Sequence, residues 1–162
     1  MADGTEHRGE GHWAADEIVA PALLALKAVY DEVRGNALLA AYSALPPVET
    51  LPGLADLAMV EVDADRRFPY QAMGEGYRRT AAIGGSGLQP GPDGRTFETR
   101  PVIRQHFGLA LSEARPFHVS VTRWDGPKIL QFDRLILPLD DGRGEITHLL
   151  VGEVFLRVAK DA

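Results

Sequence analysis

The 162 residues of this chain carry a net charge of −6, with apolar and charged fractions of 45% and 25% that are typical of a globular protein. The modest negative charge disfavours nucleic acid as a partner, because phosphate binding needs clustered lysine and arginine. The chain has no cysteine, which excludes disulfides, thiolate metal sites and cysteine nucleophiles.

The sequence gives no sign of export or membrane insertion. Residues 1–12 are polar and glycine-rich, and they lack the basic start and apolar stretch of a secretory signal. No apolar run approaches the length needed to cross a bilayer. We therefore expect a cytoplasmic protein without a membrane partner.

The N-terminal part is predicted to be a flexible tail, residues 1–12, followed by a helical extension, residues 13–45. Apolar residues recur at helical spacing over residues 16–33. Pro21 lies inside this pattern, so the helix either begins there or is kinked. Residues 37–45 predict a second short helix, which the following proline pair ends.

The remainder, residues 50–160, is predicted to form a second domain that starts with a hairpin and two helices. A segment rich in glycine and proline, residues 84–94, separates these helices and predicts an irregular loop. The predicted strands of the hairpin are residues 57–62 and 67–73, and the predicted helices are residues 74–83 and 102–114.

The last third of the chain predicts three consecutive strands. Residues 117–124 alternate apolar and polar side chains, the pattern of a half-buried strand, and residues 129–139 and 146–158 follow after short turns. Short turns join antiparallel neighbours, because parallel strands need a long crossover. The sequence therefore predicts an antiparallel meander.

This order of strand, strand, helix, helix and three strands resembles a PAS domain, and most closely a bacterial family of small, often stand-alone PAS proteins with a helical N-terminal extension. The resemblance implies an α+β fold: a five-stranded antiparallel sheet with helices on one face, plus the N-terminal extension. It also implies signal sensing or partner docking. It is carried by Phe68-Pro69-Tyr70-Gln71-Ala72-Met73-Gly74, by Arg115-Pro116, by the stretch from Asp133 to Gly142 with its Leu-Pro-Leu, and by Ile146 to Val154.

The last predicted strand contains two candidate ligand contacts, His148 and Gly152. His148 either contacts a ligand or is a core histidine bonded to a neighbour, and Gly152 leaves room for something close by. The more apolar face of this strand is expected to be the inner one. Its members are Ile146, His148, Leu150, Gly152, Val154, Leu156 and Val158.

Further candidates for a pocket lie near the predicted helices. Tyr70, Met73, Tyr77 and Phe107 either line a cavity between sheet and helices or are ordinary core residues. His106 is an exposed or half-buried helical histidine, or else an axial haem ligand, since PAS domains that bind haem take a histidine from a helix in this region. The sequence does not identify a cofactor.

The apolar stripe of the first helix is the candidate for a partner surface, because a short helix is marginally stable in water without packing. The stripe packs either on the sheet of its own chain or on a second copy, and we expect a homodimer. The residues proposed for this interface are Trp13, Ile18, Leu23, Leu26 and Tyr30.

No catalytic motif or metal site is recognisable, so an enzyme is not the expected function. The first hypothesis is a PAS-like sensory or regulatory protein that binds a small molecule or a signalling partner and passes its output to a separate protein. The second is a ligand-free interaction scaffold with a filled core. The third is a small cone-shaped isomerase or hydrolase, for which Asp133 and Tyr70 are the only acid and phenol to nominate, although Asp133 is expected to face solvent.

Overall fold

The computed structural model describes residues 8–14, 18, 20–48, 51, 56–82, 88–90, 97–99, 101–125 and 128–160, and it shows an α+β arrangement. Its helices are α1 (Pro21–Arg34), α2 (Glu75–Ala82) and α3 (Pro101–Glu113), and its strands are β1 (Arg8–Ala14), β2 (Ala40–Ala41), β3 (Asp56–Glu61), β4 (Tyr70–Met73), β5 (Leu88–Pro90), β6 (Phe97–Thr99), β7 (Phe117–Asp125), β8 (Lys128–Asp140) and β9 (Ile146–Lys160).

One mixed sheet has the strand order β4-β3-β9-β8-β7-β1, with the short β2 lying parallel to the end of β8. The predicted hairpin joins the predicted meander through β3 and β9, where Leu57 lies opposite Gly152. The other strand pairs of this order are all antiparallel. The prediction that both regions belong to a single sheet is thus confirmed. The prediction of a five-stranded, antiparallel sheet is wrong, because β1 and the parallel β2 are added to it.

The prediction of a flexible tail over residues 1–12 is wrong for its second half. Residues 8–14 form β1, which pairs antiparallel with β7 from Arg8 opposite Asp125 to Ala14 opposite Val119. The open edge of β7 offers a row of backbone donors and acceptors, and this partner is not visible in the local glycine-rich sequence. Residues 1–7 lie outside the described part of the chain.

Two other local predictions fail for similar reasons. Residues 37–45 do not form an α-helix, because Ala40 and Ala41 pair with Leu139 and Asp140 of β8 before a single 3-10 turn. The predicted loop over residues 84–94 contains β5, which pairs with β6. The rest of that loop lies outside the described residues.

Helix α1 begins at Pro21, which settles the alternative left open by the sequence. Proline is favoured in the first turn, where its missing N–H costs nothing. The helix ends before Gly35, whose φ of 55° is readily adopted by glycine and whose N–H donates to the carbonyl of Asp31 at 3.1 Å.

The helices cover the two faces of the sheet. Helix α1 packs on one face, and α2 and α3 pack on the other, so the N-terminal extension completes a three-layer arrangement. The core of the α1 face includes Leu23, Leu26, Tyr30, Leu57, Met59, Leu135, Leu137, Leu139 and Leu150. The core of the α2/α3 face includes Ala58, Val60, Phe68, Tyr77, Ile103, Phe107, Ile136, Leu149 and Val151.

Two irregularities between β8 and β9 change which side chains share a face. One falls between Leu139 and Asp140, the other between Gln131 and Phe132. Ile146 consequently packs with the α2/α3 face, whereas Leu150 packs with the α1 face. The prediction that both share one face is wrong because an extra residue reverses the alternation. The side chains of residues 155–160 lie outside the description.

None of the helices in the described ranges is long and apolar enough to cross a membrane.

Candidate functional site

A buried ion pair lies on the α2/α3 face. Arg134 of β8 and Glu153 of β9 are direct cross-strand neighbours, and Arg134 Nε donates to Glu153 Oε1 at 2.8 Å. Each residue is only 1% exposed. The guanidinium also lies 5.1 Å from the ring centroid of Phe132. Removing two charges from water is expensive, and their mutual attraction offsets much of that cost.

Two tyrosines extend this pair into a chain of hydrogen bonds. Tyr77 on α2 donates its hydroxyl to Glu153 Oε1 at 3.3 Å, and the hydroxyls of Tyr70 and Tyr77 lie 3.0 Å apart. Burial, followed by the negative charge of Glu153, raises the pKa of Tyr77, and burial also raises the pKa of Tyr70. Both phenols are therefore neutral hydrogen-bond donors. We call Tyr70, Tyr77, Glu153 and Arg134 the polar chain.

Arg134 keeps its charge in this buried position. Burial is the largest single influence and would lower the pKa of Arg134, but the charge and hydrogen bond of Glu153, together with Tyr77 and Tyr70, raise the pKa overall. Its Nη2 atom has no hydrogen-bond partner among the residues that the structure describes. A buried donor of this kind is unusual and can hold a polar acceptor.

Aromatic side chains surround the polar chain. Phe68 and Phe107 meet edge to face with centroids 5.1 Å apart, and the Tyr70 ring lies 6.4 Å from the Phe107 ring. Met73 packs against the same cluster. Four predicted pocket residues, Tyr70, Met73, Tyr77 and Phe107, are thus brought together on this face. His106, which was expected to be exposed or half-buried, is instead buried on α3, with its ring 5.6 Å from that of Phe117.

The structure does not bring His148 and Gly152 to the same place. Both lie on the α1 face, opposite to the polar chain. The His148 ring stacks on Tyr42 with centroids 3.6 Å apart and planes 7° apart, and its Nδ1 lies 2.9 Å from Thr147 Oγ1. Burial lowers the pKa of His148, and the charge of Glu61 partly opposes that change. Alternation alone showed which residues share a face, not which helix covers that face.

Gly152 serves the packing of α1. A Cβ atom at this position would lie 2.5 Å from Leu26 Cδ2 and 3.3 Å from Leu23 Cδ2. The room that the sequence predicted beside Gly152 is therefore occupied by α1 of the same chain.

The polar residues of the sheet were the main omission of the sequence reasoning. Arg134 and Glu153 were not singled out, although a charged residue inside an otherwise apolar strand is a recognisable signal. Asp133 was expected to face solvent and is 2% exposed, so that expectation is wrong. Its carboxylate accepts from Ser120 Oγ at 2.8 Å and lies 3.7 Å from His118 Nε2.

The acid and phenol nominated for an isomerase do not converge. Asp133 lies opposite Val154, which packs on the α1 face, whereas Tyr70 packs on the α2/α3 face. The sheet therefore separates the two groups. Ser120 is bonded to the carboxylate of Asp133. That bond is not the serine–histidine contact of a nucleophilic relay.

The residues nominated for a dimer interface are covered mainly by their own chain. Leu23, Leu26 and Tyr30 are 0% exposed, and Ile18 packs against the same core. The Tyr30 hydroxyl donates to the carbonyl of Pro138 at 2.8 Å, and burial raises its pKa to about 12. Own-sheet packing of the stripe is thus the arrangement observed. Trp13 lies on β1 opposite Ser120, and its side chain is outside the description.

No three histidine, aspartate or glutamate side chains are grouped to hold a metal ion in the described part of the chain.

No protein-family model matches this sequence, and no curated protein matches it. The chemistry available at the candidate site is that of the polar chain: two neutral phenols, a carboxylate and a guanidinium enclosed by aromatic rings.

Proposed function

We propose that this chain is a PAS-like sensory or regulatory domain in which the polar chain responds to a small polar molecule. The observation that carries the proposal is the position of the polar chain, between the sheet and the two helices that connect the hairpin to the meander. The inclusion of the hairpin and the meander in one sheet also supports it, because the resemblance to PAS domains implies that arrangement.

The cost of the polar chain argues for a role other than stability. A buried ion pair is often no more stabilising than apolar residues of similar volume would be. Ionisable groups with strongly perturbed pKa values are concentrated at functional sites. A ligand with a polar acceptor would be bound by Arg134 Nη2, because the hydroxyl hydrogens of Tyr77 and Tyr70 are already used in the polar chain.

Strand β9 provides a direct route from the polar chain to α1. Glu153 faces α2 and contacts Tyr77, while the preceding residue, Gly152, faces α1 and contacts Leu26. Strand β8 repeats the arrangement, with Arg134 on one face and Leu135 in the α1 core. A ligand that prefers one hydrogen-bonding arrangement of Glu153 would shift the population of α1 positions. A second copy or a separate signalling protein would receive that output at α1.

A ligand-free docking module is the second candidate, and the tight packing of the α2/α3 face favours it. Phe68, Tyr77 and Phe107 are no more than 1% exposed and fill much of the space beneath the helices. In this form the same fold and the same route to α1 would serve partner binding without a small molecule.

Native mass spectrometry of freshly purified protein tests the proposal and separates the two candidates. We expect the wild-type chain to retain a small molecule and Glu153→Gln to lose it, because the substitution removes the charge that holds Arg134 in place. Ile103→Val, in the same cluster but without a polar contact, is the matched control and should retain the compound. Wild-type protein that carries no added mass would contradict ligand sensing and favour the docking module.

A further inference from the structure

A groove of about 390 Å³ opens on the α1 face, at the outer strands β3 and β4. Met59 and Ala72 contribute from the strands, and the segment from Tyr42 to Val48 contributes the rest of the lining together with Gln71. Met59 and Ala72 belong to the α1-face core, so the sheet lies between this groove and the polar chain. The groove is therefore distinct from the candidate site described above.

Two interactions fix the tyrosine that lines this groove. The Tyr42 ring is stacked on His148, with centroids 3.6 Å apart, and Gln71 Nε2 donates to the Tyr42 hydroxyl at 2.8 Å. Since Tyr42 accepts in that bond, its own hydroxyl hydrogen remains available to donate. A wall held in position before a ligand arrives loses little entropy on binding, which favours affinity.

The lining specifies the charge and size of the occupant. None of the nine lining residues is charged near neutral pH, and most are apolar, including Pro46, Val48 and Met59. A charged ligand would lose hydration here without gaining a countercharge. The volume falls within the range of about 300 to 1,000 Å³ that is usual for small-molecule sites.

A peptide strand added to the sheet edge is a poorer occupant. Strand β4 has four residues, and its register against β3 is interrupted at Gln71, because Met59 lies opposite Ala72 and Val60 opposite Tyr70. Short, irregular edges oppose strand addition.

We propose that this groove is a binding site for a neutral, largely apolar small molecule that carries a ring and one hydrogen-bond acceptor. The ring packs against Tyr42 and Pro46, and the acceptor takes the hydroxyl hydrogen of Tyr42. The site does not depend on the polar chain or on the function proposed for it.

Fluorescence titration with N-phenyl-1-naphthylamine, a neutral aromatic amine that brightens in apolar surroundings, tests this site. We expect saturable one-to-one binding to the wild-type chain. Ala72→Trp would fill the groove and weaken binding by at least about tenfold, the equivalent of about 1.4 kcal/mol. Leu38→Trp, at a position that is 91% exposed and outside the lining, is the matched control and should bind like wild type.

Tyr42→Phe keeps the stacked ring and removes only the hydroxyl, so it tests the polar contact if Ala72→Trp fails to fold. A competitor with a ketone should lose affinity in Tyr42→Phe, whereas the matching hydrocarbon should not. The proposal is overturned by probe binding that is equal in wild type and Ala72→Trp, by the absence of saturable binding, or by tighter binding of the sulfonated probe 1-anilinonaphthalene-8-sulfonate. Loss of ligand from Glu153→Gln, by contrast, concerns only the polar chain.

Discussion

The two faces of the sheet are covered by different kinds of side chain. The α1 face is largely aliphatic, and Gly152 allows α1 to approach closely at Leu26. The α2/α3 face is rich in aromatic rings and encloses the ion pair of Arg134 and Glu153. Both faces are deeply buried, and the α1 face also holds one buried carboxylate, Asp133. What distinguishes the α2/α3 face is that its charged groups are linked to two phenols in one chain of hydrogen bonds.

This difference suits the α1 face to close packing and the α2/α3 face to a change in its hydrogen bonds. Aliphatic side chains gain stability from close packing and have little chemistry to offer. A chain of phenols and charges can adopt more than one hydrogen-bonding pattern and is sensitive to each of its members. The single sheet between the two faces connects them through neighbouring residues of β8 and β9.

The largest effect is expected from breaking the ion pair. Glu153→Leu would leave the guanidinium of Arg134 buried without its countercharge and should lower the free energy of unfolding by about 3–5 kcal/mol. Urea denaturation followed by circular dichroism measures the change.

The double variant Arg134→Met/Glu153→Leu is the control for this prediction. It removes both charges of this pair and should recover most of the lost stability. If the double variant is as unstable as the single one, the two side chains stabilise the fold mainly by packing and not by their charges. That result would contradict the electrostatic difference between the two faces.

A smaller effect is expected from crowding the other face. Gly152→Ala places a Cβ against Leu26 Cδ2 and should cost about 1–3 kcal/mol. Leu26→Val in the same chain should recover part of that loss, because it shortens the side chain that the new methyl meets.

Gly108→Ala is the matched control for the crowded glycine. Gly108 lies in α3, and a Cβ there would meet nothing within 4 Å, so alanine should stabilise the helix by about 0.5–1 kcal/mol. Equal effects at the two glycines in thermal unfolding would contradict the close approach of α1 to β9.

An element of this fold could be predicted where the sequence around it determines its structure, and not where a distant partner strand does. The strands of the meander were predicted to within two residues, because their alternation is long and the turns between them are short. Strand β1 was missed because its partner, the edge of β7, lies more than one hundred residues away. The short β2 was missed for the same reason.

The candidate site was predictable only in part. Tyr70, Tyr77 and Phe107 were expected beside the helices because the order of elements places them there. Arg134 and Glu153 were overlooked because a charged residue on a strand faces solvent by default, and nothing local shows that helices cover both faces. The strand irregularity at Leu139 likewise depends on the partner strand.

The smallest predicted effect concerns pH on the α1 face. The pKa of His148 is lower in the folded chain than its usual value of about 6.5, so the unfolded chain takes up the proton first. Its contribution to stability is therefore complete above about pH 6.5 and declines as the pH falls below that value. His148→Phe keeps an aromatic partner for Tyr42 and should flatten this part of the profile in thermal unfolding. An unchanged profile would show that other groups cause it.

Hydrogen exchange of the α1 amides tests most directly whether the polar chain acts on α1 through the sheet. Tyr77→Phe removes one hydroxyl from the α2/α3 face, and Ile103→Val removes one methyl group from the same cluster. We predict that the α1 amides of Tyr77→Phe exchange faster than the global loss of stability explains. In Ile103→Val, the exchange rate of these amides should rise only as much as the global loss of stability explains. Identical α1 protection in the two variants, once corrected for global stability, would contradict the coupling between the faces.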